Sequence, residues 1–184
     1  MPFTNNTTYG TTAYNTGTLF DSSKILANDG SSLSSATLAT QSDLSIPIGG
    51  YERVQGIYTI WYDTDTTNEL SYRIASFDNQ STPVVVATTI ATHSLASVAV
   101  ITSGATPSAA SLECTSTYST DGNGITVGID SGVSDAAALF LQVHFNALST
   151  AATKSNIVLQ AANITGSAAG THLLAGSNVV WKKW

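Results

Sequence analysis

From about residue 23 onward, apolar and polar positions alternate in short runs broken by turn-forming clusters, and the runs are rich in Val, Ile, Thr, Tyr and Phe. Strands that bury one face against a second sheet carry a period of two, so the pattern predicts an all-β, antiparallel β-sandwich. Strands are expected at residues 36–48, 54–62, 69–74, 84–90, 95–101, 111–117, 125–129, 137–148, 156–162 and 178–184. No stretch has the length and 3.6-residue period of a long helix. Within 69–74, Leu70, Tyr72 and Ile74 fall on one face and Glu69, Ser71 and Arg73 on the other, which assigns the first set to the core. Along 137–148, Leu139, Leu141, Val143 and Phe145 form an apolar face, while Phe140, Gln142, His144 and Asn146 form an amphipathic one. In 156–162, Ile157, Leu159 and Ala161 continue the core, with Val158 and Gln160 opposite. Asp121-Gly122-Asn123-Gly124 reads as a tight hairpin turn, because these residues tolerate positive φ.

Residues 1–22 follow neither period. Their only charge is Asp21, and the aromatics Phe3, Tyr9, Tyr14 and Phe20 are spread along a Thr-, Asn- and Gly-rich stretch. Such a segment has too little apolar area to order itself, yet its aromatics can anchor it to another surface. It is read as an extended N-terminal arm preceding a β-sandwich domain at 23–184. Phe3, Tyr9, Tyr14 and Phe20 are its candidate interface residues, joined by Phe140 and His144 on the amphipathic strand.

A chain of 184 residues suits one domain. Its surface chemistry is unusual: Ser and Thr fill 51 positions, while only 10% of residues are charged. A surface short of charge is poorly protected from association, so it favours a component of an assembly over a freely circulating enzyme. Four Lys and two Arg against a net charge of −6 exclude a basic patch for nucleic acid. Cys114 is the only cysteine, which rules out an internal disulfide and a cysteine-based metal cluster. The opening Met1-Pro2-Phe3-Thr4-Asn5 lacks the basic and apolar runs of a signal peptide, and no apolar run is long enough to span a membrane as a helix. A soluble protein without membrane partners, not exported by a signal of its own, is expected.

Catalytic chemistry is not supplied. His93, His144 and His172 lie at no spacing typical of a zinc site, and Cys114 sits among strand residues, where a cysteine usually serves as a small buried hydrophobe. The chain has no Gly-x-Ser-x-Gly elbow, no Gly-rich phosphate loop with Lys and no His-Glu-x-x-His. Asp63 and Asp65, followed by Asn68 and Glu69, superficially resemble calcium ligands but lack the EF-hand order and are read as a polar loop. No catalytic residue, metal ligand or cofactor is assigned.

Two blocks resemble structural proteins of tailed bacteriophages. The first runs from Tyr51-Glu52-Arg53 through Val54-Gln55-Gly56-Ile57-Tyr58-Thr59-Ile60-Trp61-Tyr62 and Asp63-Thr64-Asp65 to Asn68-Glu69-Leu70-Ser71-Tyr72-Arg73. It is similar to that family's module of Tyr, strand, Asp-containing loop and Asp-Leu-Lys. The second comprises Leu139–Phe145, Asn156–Asn163 and the closing Leu173-Leu174-Ala175-Gly176-Ser177-Asn178-Val179-Val180, with Ala161-Ala162-Asn163 standing where the family has Ala-Gln. The resemblance covers roughly residues 36–184. It implies a jelly-roll-like sandwich on a virion, often trimeric, used as a capsid decoration (cement) protein or as a fibre domain. The expectation is therefore a homotrimeric, non-enzymatic decoration protein on the capsid surface, bridging subunits of the major capsid protein. The alternative is a receptor- or glycan-binding fibre or adhesin domain, with Trp61, Tyr62, Trp181 and Trp184 as its aromatic platform.

Overall fold

The structure, a computed structural model, describes residues 8–9, 12–13, 20, 22–64, 70–77, 88–97, 112–119, 126–129, 136–150, 152, 154–163 and 171–184. Residues 8–9, 12–13, 64, 88–97, 112–119, 127–129 and 136–138 are described by their backbone. In chain order the strands are β1 (Thr8–Tyr9), β2 (Thr12–Ala13), β3 (Ser22–Ile25), β4 (Ala39–Thr40), β5 (Ile46–Ile48), β6 (Arg53–Thr64) and β7 (Leu70–Phe77). They continue as β8 (Thr88–Ser97), β9 (Leu112–Ser119), β10 (Val127–Ile129), β11 (Ala136–Ser149), β12 (Ser155–Asn163), β13 (His172–Leu173) and β14 (Asn178–Lys183). A single 3₁₀ turn, Ser42–Leu44, is the only helical element among the described residues.

Apart from the small β1–β2 ladder, the strands form two antiparallel sheets. One has the order β10-β7-β12-β4, with β5 also on β12; the other has the order β3-β14-β6-β11-β8-β9, with β13 also on β6. The apolar sides of the two sheets meet in one core that joins Val54, Tyr58, Ile60 and Tyr62 of β6 to Leu70, Tyr72 and Ile74 of β7. Leu139, Leu141, Val143 and Phe145 of β11 and Ile157, Leu159 and Ala161 of β12 complete its centre. The expected all-β antiparallel sandwich is what the chain forms. Leu70, Tyr72, Ile74, Leu141, Val143 and Leu159 are all buried, so the period-two reading has the correct register.

Three expectations need correction. The stretch at 36–48 is not one strand, because the Ser42–Leu44 turn separates β4 from β5. The Leu44 N–H donates to Gln41 O at 3.1 Å, and the turn drives Leu44 into the core while β4 and β5 each return to β12. Pro47 is tolerated in β5 because, among the described residues, that strand pairs with β12 alone. Second, the strands expected at 84–90 and 95–101 share one continuous strand, β8; residues 84–87 and 98–101 lie outside the described residues. The polar Ala91-Thr92-His93-Ser94 suggested a break, but ladders to β11 and β9 on both sides satisfy its backbone. Third, the outward side of the β7–β12 pair is not a solvent face. Ser71, Gln160 and Ala162 are buried there, and Ala75, Phe77 and Val158 form a second apolar cluster. Across that side, Arg73 donates to Gln160 Oε1, and Gln160 Nε2 donates to Thr40 Oγ1 at 3.2 Å, a polar row spanning three strands.

Tyr58 ties the two sheets together. From β6 its hydroxyl donates to the Leu44 carbonyl at 3.1 Å, with the Ile157 carbonyl at 3.5 Å, and its ring lies 5.4 Å from that of Phe145. Burial pushes the phenol far above the ordinary tyrosine range, because the charged phenolate has no solvent there. The folded state therefore keeps a proton that the unfolded chain releases near pH 10, and this contribution to stability is full below that pH and lost as pH rises above it. Stability of the native protein is expected to fall above about pH 10, with this group contributing up to ~1.4 kcal/mol per pH unit. Tyr58→Phe should remove that share of the slope and cost about 1–3 kcal/mol at neutral pH, since the Leu44 carbonyl loses its donor. Urea titrations at pH 7 and above 10 read both effects; equal slopes for the two proteins would contradict the assignment.

Candidate interaction surface

The second side of the six-strand path β3-β14-β6-β11-β8-β9 faces away from the core, and in its described half the charged residues Arg53, Asp63 and Lys182 lie toward the two ends. On β6, Arg53, Gln55, Ile57, Thr59 and Trp61 alternate with the buried Val54, Gly56, Tyr58, Ile60 and Tyr62. On β11, Phe140, Gln142, His144, Asn146 and Leu148 alternate with the buried Leu141, Val143, Phe145 and Ala147. The ladder sets Trp61 opposite Phe140, Thr59 opposite Gln142, Ile57 opposite His144, Gln55 opposite Asn146 and Arg53 opposite Leu148. Val180 and Lys182 of β14 and Ile25 of β3 extend the same side.

The face has an apolar feature at each end. At one end Trp61 and Phe140 are half-buried with ring centroids 5.0 Å apart and planes inclined by 57°, a tilted pair that holds both side chains in fixed orientation. At the other end Trp184 is exposed, its backbone paired both ways with Arg53. Phe20, Gln55, Lys182 and Trp184 line a shallow depression there. Leu148, on the neighbouring strand from Arg53, and Ile25, at the β3 edge, are exposed as well. Eight residue steps along extended β6 separate the Trp61 end from the Arg53 end, roughly 26 Å.

Two of the sequence-predicted interface residues, Phe140 and His144, thus lie on one face, and Phe20 borders its far end. His144 is exposed, and one of its ring nitrogens lies 3.1 Å from Gln142 Oε1. Tyr9 lies in β1, with its backbone opposite Thr12. Phe3 and Tyr14 lie outside the described residues. Of the proposed glycan platform, Tyr62 and Trp181 are buried in the core, because both fall on the inward side of their strands; only Trp61 and Trp184 remain on the outer side, at opposite ends. Leu148, Ile25 and Tyr51 are exposed apolar residues that the sequence reading did not single out. Continuing the Phe140–Asn146 alternation by one step reaches Leu148, whereas Ile25 sits in a strand too short to show a period.

The polar features elsewhere are structural in character. His172 Nδ1 and its own backbone N–H both meet Asp63 Oδ1, at 2.8 and 2.9 Å, which fastens β13 to β6. Glu52 Oε2 accepts from Gly49 N and lies 3.1 Å from Lys183 Nζ, closing the turn that carries Tyr51 in the left-handed region at φ 56°. A cleft of about 480 Å³ between residues 26–33 and 39–44 has Asp29 and Asp43 as its titratable lining among the described residues, and Asp29 Oδ1 accepts the Ala175 N–H. Among the described residues no group of three or more His, Cys, Asp or Glu is arranged to hold a metal, and no helix is long and apolar enough to cross a membrane. No family model matches the chain, and no curated protein or solved structure matches it.

Proposed function

We propose that the chain is a capsid decoration (cement) protein of a tailed bacteriophage, a homotrimer on the outer surface of the head that bridges subunits of the major capsid protein. The observation that carries this reading is the outer face just described: a sheet whose central positions, Ile57, Thr59, Phe140, Gln142, His144 and Asn146, carry no Lys, Arg, Asp or Glu, with the Trp61–Phe140 pair at one end and an exposed Trp184 at the other. Protein interfaces are depleted of charge at their centres and enriched in aromatic residues, so this face suits desolvation against a neighbour. The strand order supports a jelly-roll reading of the sandwich. Counted from β5, the eight strands β5 to β12 pair first with eighth, second with seventh, third with sixth and fourth with fifth. That is a long antiparallel ribbon folded in half and rolled, an architecture used by viral capsid and lectin domains.

The mechanism is mechanical. Contacts that exist only on the assembled shell stabilise the shell by linkage, and three protomers raise the effective affinity. The arm at 1–22 adds anchors through Phe3, Tyr9, Tyr14 and Phe20. No catalysis, cofactor, nucleic acid or membrane is involved. The receptor- or glycan-binding alternative is favoured by one observation, the depression formed by Phe20, Trp184, Gln55 and Lys182, which combines aromatic faces with hydrogen-bonding groups.

Deleting residues 1–20 leaves β3 intact and removes the arm. The truncated chain is expected to keep a nearly unchanged melting temperature while binding weakly to capsids stripped of the full-length protein, read as bound copies and as heat resistance of the shell. Equal occupancy and equal shell stability for both chains would remove the anchoring role.

A further inference from the structure

The β11–β8 ladder brings two histidines from distant parts of the chain into register: His144 and His93 are direct cross-strand partners. Residues directly opposite in an antiparallel pair fall on one face of the sheet, so the register sets two imidazole-bearing positions side by side on adjacent strands. His144 is on the exposed outer face. The Gln142 carbonyl oxygen can only accept, so it takes the Nε2 proton of a neutral imidazole at 3.1 Å and leaves Nδ1 with the lone pair that a metal requires. The adjoining register positions hold Ile57, Gln142, Leu95, Asn146, Ala91 and Ser116, none of them basic, and the chain carries a net charge of −6. No neighbouring cation opposes binding, and the overall field draws cations in.

We propose that His93 and His144 form a two-imidazole site for a late first-row divalent cation, Zn²⁺ or Ni²⁺, on the outer face of the seven-stranded sheet. Imidazole is a preferred ligand for these ions, and the remaining coordination positions are open to water or to a donor from a neighbouring molecule. This site stands independently of the capsid reading.

The test uses the full chain without an affinity tag. Native protein should be retained on immobilised Ni²⁺ and should bind one Zn²⁺ per chain by calorimetry. His93→Asn and His144→Asn should each abolish both, while His172→Asn, at the residue held by Asp63, should behave as native. Absence of binding by the native protein, or binding that survives either of the first two substitutions, overturns the proposal. If a variant fails to fold, Zn²⁺ titration of the native protein followed by imidazole NMR decides the matter: signals of His93 and His144 should move together, and movement of His172 alone contradicts the site.

Discussion

Leu141→Ala is expected to lower stability by about 2–5 kcal/mol, a large share of the 5–15 kcal/mol typical of a folded domain. Leu141 is fully buried on β11, directly opposite Ile60 of β6 and Ala96 of β8 and laced between both strands. Removing three carbons there forfeits their burial and leaves a cavity that three laced strands cannot readily collapse. For a chain of this size the melting temperature should fall by roughly 4–20 °C. Asn146→Ala, on the exposed side of the same strand, should stay within ~0.5 kcal/mol. Thermal denaturation followed by circular dichroism separates the two; comparable losses for both would mean that the inward and outward assignments of β11 are wrong.

Gly56→Ala should be nearly as damaging although it adds a single methyl group. Gly56 faces the core from β6 between Trp181 of β14 and Phe145 of β11. A Cβ at this position would lie 2.5 Å from the Val180 carbonyl oxygen and 2.7 Å from two carbons of the Phe145 ring. The ring occupies the space that a side chain would take, as aromatics often do over a strand glycine. The carbonyl belongs to a paired strand and the ring is walled in by Tyr58, so neither yields easily. Overpacking of this kind costs about 1–3 kcal/mol and more where backbone must move, which sets the expectation at about 3 kcal/mol. Adding Phe145→Leu to Gly56→Ala should recover part of the loss, because one of the two collisions is relieved. A double-mutant cycle reads the coupling, and strict additivity would contradict the packing described.

The inward and outward sides of the strands were legible in the sequence wherever period two persisted, as in 69–74 and 137–148, because burial of one face leaves a regular trace. Legibility failed where a strand's environment departs from half-burial. β8 is continuous through Thr92-His93-Ser94 because ladders on both sides, not apolar character, hold it. β3 and β13 are too short for a period and exist through pairing with β14 and β6. On the outer face, Phe140 was recognisable from its own strand, but its partner Trp61 lies far away in sequence and only the β6–β11 register brings them together. The same holds for His144 and His93, whose spacing carries no local signature.

On the proposed decoration reading a tailed phage encodes the chain, and imaging the virions of that phage, at a resolution sufficient to fit this sandwich into density, tests the reading most directly. The predicted result is a cluster of three sandwiches on the outside of the head, over junctions between major capsid subunits, with the Phe140 and His144 side of the seven-stranded sheet turned toward a neighbour. Density at the tips of tail fibres, single isolated copies on the head, or no density for the chain on the particle would contradict it.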